Sequence, residues 1–453
     1  MIIRLILNNV LSFGEEREFN MFPYPHLANR LPHHKYSINK DFSLLKMAAI
    51  YGANGSGKSN FVKGLSFLKQ IVVDGTIPNE LLNAPFLLQD APFDQPQTLG
   101  IEFLAEGKTF WYGIEILDGK ITTEELYETN FGKGEPELIF ERKIKEKSRF
   151  DFLFHKSISL EAQALLKINV RLRNRLLINL FGILFLKEKS LSPISTKVYN
   201  WFKNLEIITP SKKADNLIYL LAQDKEFNSF ANHLIKTFNT GIQEIIVETK
   251  KIEEYFGANE LLSTREVSRE LKNGIRSFIP LNNSQDLAIA MQEGDEIVVK
   301  RLLFKHQVKS GEAINFHLYQ LSDGTKRLLD YLVMLSQIIL NPSVVVIDEI
   351  ARSIHPALLK TIIEKFSTTK NTKGQLIFTT HEANLLDQDI MRPDEIWFME
   401  KDKFGCSDMY PLSEFKEHKT KDIRKGYLNG RYGAIPFLGA LKNLNWNDYA
   451  STQ

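Results

Sequence analysis

Gly52-Ala-Asn-Gly-Ser-Gly-Lys58-Ser59 has the spacing of a phosphate-binding loop, and its flanks decide the fold. The apolar stretch Met47-Ala-Ala-Ile-Tyr51 before it predicts a strand, and Asn60-Phe-Val-Lys-Gly-Leu-Ser-Phe-Leu after it predicts a helix. The motif requires that order of strand, glycine loop and helix. Its glycines let successive N–H groups turn towards phosphate oxygens, and the helix N-terminus adds a favourable dipole. Asn54, Gly55, Ser56, Gly57, Lys58, Ser59 and Asn60 are therefore the expected nucleotide-binding residues. Lys58 would reach the β/γ-phosphates, and the Ser59 hydroxyl would complete the shell of Mg²⁺. The plain rival is a glycine-rich turn that merely precedes a helix.

Such a loop needs a carboxylate partner. Pro342-Ser-Val-Val-Val-Ile-Asp348-Glu349 supplies one: a β-branched run predicts a buried strand, with two acids at its carboxyl end. Asp348 is placed to hold Mg²⁺ through water, and Glu349 to orient and deprotonate the attacking water. A helix N-cap beside a solvated acid is the bland alternative. Two weaker signals flank this strand. Leu321-Ser322-Asp-Gly324-Thr325-Lys-Arg-Leu-Leu predicts a turn feeding an apolar helix from Leu328. Alone, Ser-Asp-Gly is a common turn. Ile377-Phe-Thr-Thr380-His381 predicts a strand ending in a histidine, which by itself is usually just a polar strand end.

The bulk properties exclude several classes. A length of 453 residues allows about two to three domains, or one large domain with insertions. A net charge of +2 argues against a wholesale nucleic-acid coat. The single cysteine, Cys406, permits neither an internal disulfide nor a multi-cysteine metal site. Met1–Leu7 reads as an opening strand rather than a signal peptide. The apolar stretch Leu176–Leu186 is too short to cross a bilayer. A cytoplasmic protein without membrane contact is expected.

Along the chain, short alternating runs over 98–142 predict an antiparallel meander. From about 143 to 240 the period becomes helical, and residues 141–215 carry sixteen Lys/Arg against seven Asp/Glu. That basic stretch reads either as a contact surface for nucleic acid or an acidic partner, or as a solvated face with Lys and Arg snorkelling over apolar neighbours. Helices and strands alternate over the last third, which predicts a doubly wound α/β core.

Phosphate loop, Ser-x-Gly helix start, apolar strand with Asp-Glu and strand-end histidine form one ordered pattern. It resembles the ABC-type ATPase head, in the branch shared by SMC chromosome proteins, double-strand-break-repair ATPases and overcoming-lysogenization-defect (OLD) proteins. The resemblance spans about 1–140 and 290–400. It implies an α/β P-loop NTPase of ABC-ATPase head type, with a mixed sheet core, an antiparallel β meander and a helical insertion. The implied divisions are 1–142 and 291–400 for the two halves of the head, 143–290 for the mainly helical insertion and 401–453 for a tail. ATP and Mg²⁺ are the implied cofactors, and a head-to-head homo-oligomer of at least two copies is the implied assembly. Ser322, Gly324 and Thr325 would form the signature contacting the γ-phosphate of ATP bound to the opposite subunit. Glu349 would be the catalytic base, His381 the switch histidine, and Ile350-Ala-Arg-Ser353-Ile-His355-Pro356 the D-loop. The signature has Asp323 where transporters have glycine, and Ala351 replaces an acid often found in the D-loop. Gln89, Gln95 and Gln97 are the candidates for the Q-loop.

The insertion of about 150 residues lacks heptads, so a long coiled-coil arm is not expected. About 70 residues follow His381, fewer than a metal-binding nuclease domain needs, so no intrinsic nuclease is expected. Tyr427-Leu-Asn-Gly430-Arg431-Tyr432-Gly-Ala-Ile-Pro436, with Leu321–Arg327 and Glu382-Ala-Asn-Leu-Leu-Asp, resembles the stand-alone ATPases of prokaryotic defence islands. That group includes the ATPase subunits of PARIS and Septu systems and of some retrons. The resemblance implies a slow ATPase acting as sensor or scaffold for a separate effector, a toxin or nuclease, with nucleic acid or a phage protein as trigger. The alternative is an SMC-like repair or chromosome clamp that binds DNA through the basic insertion.

Overall fold

The computed structural model describes residues 1–130, 134–145, 149–173, 175–184, 193–210, 216–256, 261–272, 278–282, 287–369, 372–415, 417–418 and 421–436. Residues 437–453 of the expected tail, and the end of the stretch Leu176–Leu186, lie outside the described residues. The chain divides into two compact units. One comprises Met1–Thr209, Pro342–Ile350 and Ile362–Gln453; the other comprises Pro210–Asn341 and Ala351–Thr361.

In the first unit, Met47–Gly52, Val344–Ile347 and Gln375–Thr380 are buried along their whole length. Strands with no solvated face suit the middle of a parallel sheet covered on both sides. They occupy that place among the described residues, in a sheet ordered Glu206–Ile208, Val344–Ile347, Gln375–Thr380, Met47–Gly52, Ile396–Lys401, Ser407–Pro411. The first five run parallel, and the last closes an antiparallel hairpin. The strand that precedes His381 thus lies between the phosphate-loop strand and the strand that delivers the acidic pair.

The expected meander is part of a second, antiparallel sheet. Its order is Arg149–Phe154, Glu137–Lys145, Lys120–Glu128, Lys108–Leu117, Gln97–Ala105, Ile2–Asn8, Arg17–Asn20. The helix after the phosphate loop, Lys58–Asp74, buries Phe61, Leu65, Leu68 and Ile71. These share one apolar cluster with Ile50, Val346 and Ile377 of the parallel sheet and Leu5, Leu99 and Ile101 of the meander. Each such side chain contributes about 1.5–3 kcal/mol when fully buried.

Several cations of the basic stretch are held within the chain. Arg142 pairs with buried Glu124 at 3.1 Å, Lys143 with Glu141 at 2.8 Å and Lys197 with Glu106 at 2.9 Å. The Lys167 ammonium lies over the Phe154 ring. Of the span expected to be mainly helical, residues 143–209 belong to the first unit and include the strand Arg149–Phe154.

The second unit has its own antiparallel sheet, ordered Ile242–Lys251, Glu296–Gln307, Leu287–Glu293, Phe278–Asn282, with Ala313–His317 also paired to Glu296–Gln307. Ile242, Ile245, Leu302 and Phe304 of this sheet pack with Leu221, Phe227 and Ile235 of two short helices and with Leu329, Leu332 and Val333 of the helix Asp323–Leu340. That last helix starts earlier than the apolar period predicts. Ser322 caps it, its Oγ accepting from the Thr325 N–H at 3.2 Å, so the polar turn Asp323–Lys326 is already helical. Among the described residues no helix is long and apolar enough to cross a membrane.

Candidate functional site

Three neighbouring parallel strands end on the same side of the sheet, and each delivers one part of the expected chemistry. Met47–Gly52 leads into the phosphate loop, Val344–Ile347 into Asp348 and Glu349, and Gln375–Thr380 into His381. Ligands in open α/β sheets bind beyond the carboxyl ends of the strands, and these residues converge there.

The phosphate loop is fastened from behind. The Ser407 hydroxyl donates to the Ser56 carbonyl at 2.7 Å and bonds Ser12 Oγ at 2.7 Å. The Ser12 hydroxyl also accepts from Asn60 Nδ2 at 2.8 Å, so the Asn60 side chain is committed to Ser12. Gly57 sits at φ +115°, a conformation side chains rarely adopt, and a β-carbon there would collide with the Ser407 hydroxyl. Lys58 Nζ donates to the loop's own carbonyls, Gly52 at 2.6 Å and Ala53 at 2.9 Å. Burial lowers the Lys58 pKa below the ordinary lysine value, while the Asp348 and Glu349 carboxylates act the other way. Asn54, Gly55 and Ser59 are exposed, and the buried Ser56 hydroxyl has no hydrogen-bond partner among the described residues. The helix behind the loop begins without a side-chain cap. A loop of exposed backbone, an uncapped helix start, a lysine resting on carbonyls and an unsatisfied hydroxyl suits a phosphate group.

Asp348 is buried and Glu349 half-buried. Thr379 binds both: its Oγ1 donates to Asp348 Oδ1 at 2.6 Å and accepts from the Glu349 N–H at 2.8 Å. Glu349 takes φ +52°, a left-handed conformation unusual for a side-chain-bearing residue. His381 is exposed at the first position after its strand. The loop beyond it is held by the Thr380 hydroxyl, which accepts from the Glu382 N–H at 3.0 Å, and by the Tyr51 hydroxyl, which donates to the Glu382 carbonyl at 3.3 Å.

The remaining predicted residues belong to the second unit. Ser322 lies exposed at the N-cap of Asp323–Leu340, its Oγ 2.9 Å from Thr325 Oγ1, with Gly324 in the first turn. Asp323, the departure from the usual glycine, is solvent-exposed and 3.5 Å from Lys326. Among the Q-loop candidates, Gln97 is buried and donates to the Leu81 carbonyl at 2.9 Å. Gln89 donates to Asn9 Oδ1 at 2.6 Å, and Asn9 Nδ2 donates to the Gln95 carbonyl at 3.0 Å.

Sequence reasoning missed Ser407 and Thr379; Asn9 and Ser12 lie in the stretch Asn9–Phe13, which resembles an opening segment near the nucleotide in the same ATPase branch. A buried Thr in an otherwise apolar strand was the one local signal, since a buried hydroxyl needs a partner. The closing motif finds its place here too. Tyr427 and Tyr432 stack on Phe398, Tyr427 meets Tyr51 edge-on at 5.7 Å, and the Tyr410 hydroxyl donates to the Tyr432 carbonyl at 2.8 Å.

Among curated proteins none matches this chain. Among solved structures it is similar to the SMC head domain from Thermotoga maritima, at 14% identity and a TM-score of 0.38, covering 90% of this chain and 98% of that one. It is also similar to an Smc head bound to the C-winged helix domain of ScpA, at 13% identity and a TM-score of 0.42, covering 92% and 99%. An Smc head with an extended coiled coil, bound to the C-terminal domain of ScpA derived from Pyrococcus furiosus, gives 13% identity and a TM-score of 0.40, again covering 92% and 99%. The parallel sheet with its phosphate loop and the antiparallel sheet packed with it make this an α/β P-loop fold. The sequence model of the family described as "AAA domain, putative AbiEii toxin, Type IV TA system" matches residues 47–387, from the phosphate-loop strand to beyond His381, and the chain belongs to that family.

Proposed function

We propose that the protein is a slow Mg²⁺-dependent ATPase that binds ATP between copies of itself and uses the nucleotide cycle to control a separate effector in anti-phage defence. One observation carries the enzymatic part: three adjacent strands bring Lys58, Asp348, Glu349 and His381 to one end of one sheet. The backbone of Asn54–Ser59 would cradle the phosphates, Lys58 would exchange its carbonyl partners for phosphate oxygens, and Ser59 and Asp348 would hold the cation. Mg²⁺, when bound, neutralises charge on the β- and γ-phosphates. Glu349 would orient and deprotonate the attacking water, and His381 would hold the γ-phosphate side of the site.

Ser322, Gly324 and Thr325 begin an 18-residue helix with Ser322 exposed, a geometry suited to an anion. In this reading they seal the nucleotide held by a second copy, so ATP joins protomers and hydrolysis releases them. The biological half rests on the family's description, which names a toxin and a toxin–antitoxin system, and on the closing motif's likeness to defence-island ATPases. A PARIS-type ATPase subunit is the first choice, and a Septu- or retron-associated one the second. The ATPase is then cytoplasmic, its effector a separate toxin or nuclease, and the trigger nucleic acid or a phage protein. The rival is a clamp that binds DNA through the basic stretch, of whose sixteen cations Arg142, Lys143 and Lys197 are paired within the chain.

The test is complementation. Lys58→Ala and Ser322→Arg should each be inactive alone, and mixing them should restore part of the ATPase activity, because one intact composite site can form. Full activity of Ser322→Arg by itself would sink the shared site. Steep, salt-sensitive stimulation of hydrolysis by DNA would favour the clamp.

A further inference from the structure

We infer that Thr379 is the positioning residue of the acidic pair: its single hydroxyl fixes the Asp348 carboxylate and the Glu349 backbone in the register that Mg²⁺-dependent hydrolysis needs. The inference rests on the ATPase reading above and adds a residue to it.

The argument begins with proton bookkeeping. The Glu349 N–H can only donate, so at 2.8 Å it must use a lone pair on Thr379 Oγ1. The hydroxyl has one proton, and the 2.6 Å contact to Asp348 Oδ1 takes it. Asp348 is therefore held as an acceptor, and its carboxylate plane cannot rotate without losing that bond. The Thr379 carbonyl in turn accepts from the Ile350 N–H at 3.1 Å. One residue thus grips three consecutive positions: the side chain of 348 and the backbones of 349 and 350.

The chain turns sharply at this point. Glu349 sits at φ +52°, where an L-residue is held only if its surroundings impose it. Thr379 itself is fully buried at the centre of the parallel sheet. Valine would fill the same space in a β-strand without a polar group to satisfy, as Val345 and Val346 do in the adjacent strand. The neighbouring Thr380 has a different task, accepting from the Glu382 N–H beyond His381. Two consecutive threonines therefore register the acidic pair and the histidine loop from one strand.

The test compares Thr379→Ser with Thr379→Ala. Both lose the γ-methyl, and the Ala variant loses the hydroxyl as well. The Ser variant should stay close to wild type. The Ala variant should lose about 10–100-fold in kcat with little change in KM, the usual cost of removing a residue that orients a metal-binding acid. A second readout needs no turnover. The Mg²⁺ concentration that half-saturates binding of a non-hydrolysable ATP analogue, followed by calorimetry, should rise about tenfold in the Ala variant. Binding of the analogue without Mg²⁺ should not change.

Glu349→Gln, measured alongside, separates the two ideas. If that variant hydrolyses ATP like wild type, Glu349 is not the base, and the reading of the acidic pair on which this inference rests fails. If it is inactive while Thr379→Ser and Thr379→Ala are indistinguishable in both readouts, the ATPase reading stands and the role of Thr379 falls. Failure of Thr379→Ala to fold, with or without Thr379→Ser, would make the residue structural and likewise overturn the inference.

Discussion

The Ser353 carbonyl oxygen stands 2.6 Å from where a β-carbon on Gly324 would be, so the first turn of the helix Asp323–Leu340 rests directly on the backbone at Ser353. Both residues belong to the second unit, and Ser353 is itself left-handed at φ +60°. The third position of the Ser-Asp-Gly motif is closed to any side chain by backbone, which cannot move aside as a flexible side chain would. Asp323, by contrast, points into solvent. Gly324→Ala should cost about 1–3 kcal/mol by forced overpacking and depress hydrolysis, whereas Asp323→Ala should stay within about 0.5 kcal/mol of wild type. Denaturant titration of the two variants checks this; equal midpoints would show that the contact is not maintained.

The left-handed backbone of Glu349 predicts a separation of activity from stability. Glu349→Ala and Glu349→Gly should both abolish hydrolysis. The Gly variant should nevertheless be about 1 kcal/mol more stable than the Ala variant, because only glycine adopts φ +52° without steric cost. Thermal unfolding of the pair decides it, and an Ala variant at least as stable as Gly would mean that the turn relaxes freely.

Ser407 supports the phosphate loop from outside the motif. Ser407→Ala removes the one hydroxyl that donates to the Ser56 carbonyl and bonds Ser12 Oγ. Losing a buried hydrogen bond costs about 1 kcal/mol, which corresponds to roughly fivefold weaker ATP binding if the loop alone bears it. Calorimetric titration with ATP is the measurement, and unchanged affinity would assign Ser407 to packing only.

A buried ionic cluster gives a pH prediction. Glu395 receives His34 Nδ1 at 2.9 Å and the Arg392 N–H at 2.8 Å, with Asp394 alongside bound by the Arg392 guanidinium. Burial raises the Glu395 pKa above the ordinary carboxyl value, with His34 opposing. A raised carboxyl pKa adds stability in full below the unfolded value and loses it as pH rises through the folded value. The stability difference between wild type and Glu395→Gln should therefore shift against wild type as pH rises from about 4 through the raised value. A difference that stays flat, or moves in favour of wild type, would contradict this.

The strongest local signals survive in three dimensions. Met47–Gly52, Val344–Ile347 and Gln375–Thr380 are short, apolar and bounded by polar turns, so their strand character needed no tertiary context. The meander was legible for the same reason, through alternation of period two. Helix starts were less so: the apolar period placed one at Leu328, while the Ser322 cap starts it at Asp323. Periodicity reports the buried face and is silent on the polar first turn.

By itself, the sequence determined that a phosphate loop, two acids and a histidine sit at strand ends, because each is written in a contiguous run where local backbone preference and burial agree. Only the tertiary structure decided that the strand of Thr379 lies between Met47–Gly52 and Val344–Ile347, that Ser407 braces Ser56, 351 positions earlier in the chain, and that Ser353 closes Gly324 to any side chain. The physical reason is range. Strand order and hydrogen bonds between distant residues depend on which apolar faces pack together, and that competition is settled by the whole core rather than by any one segment.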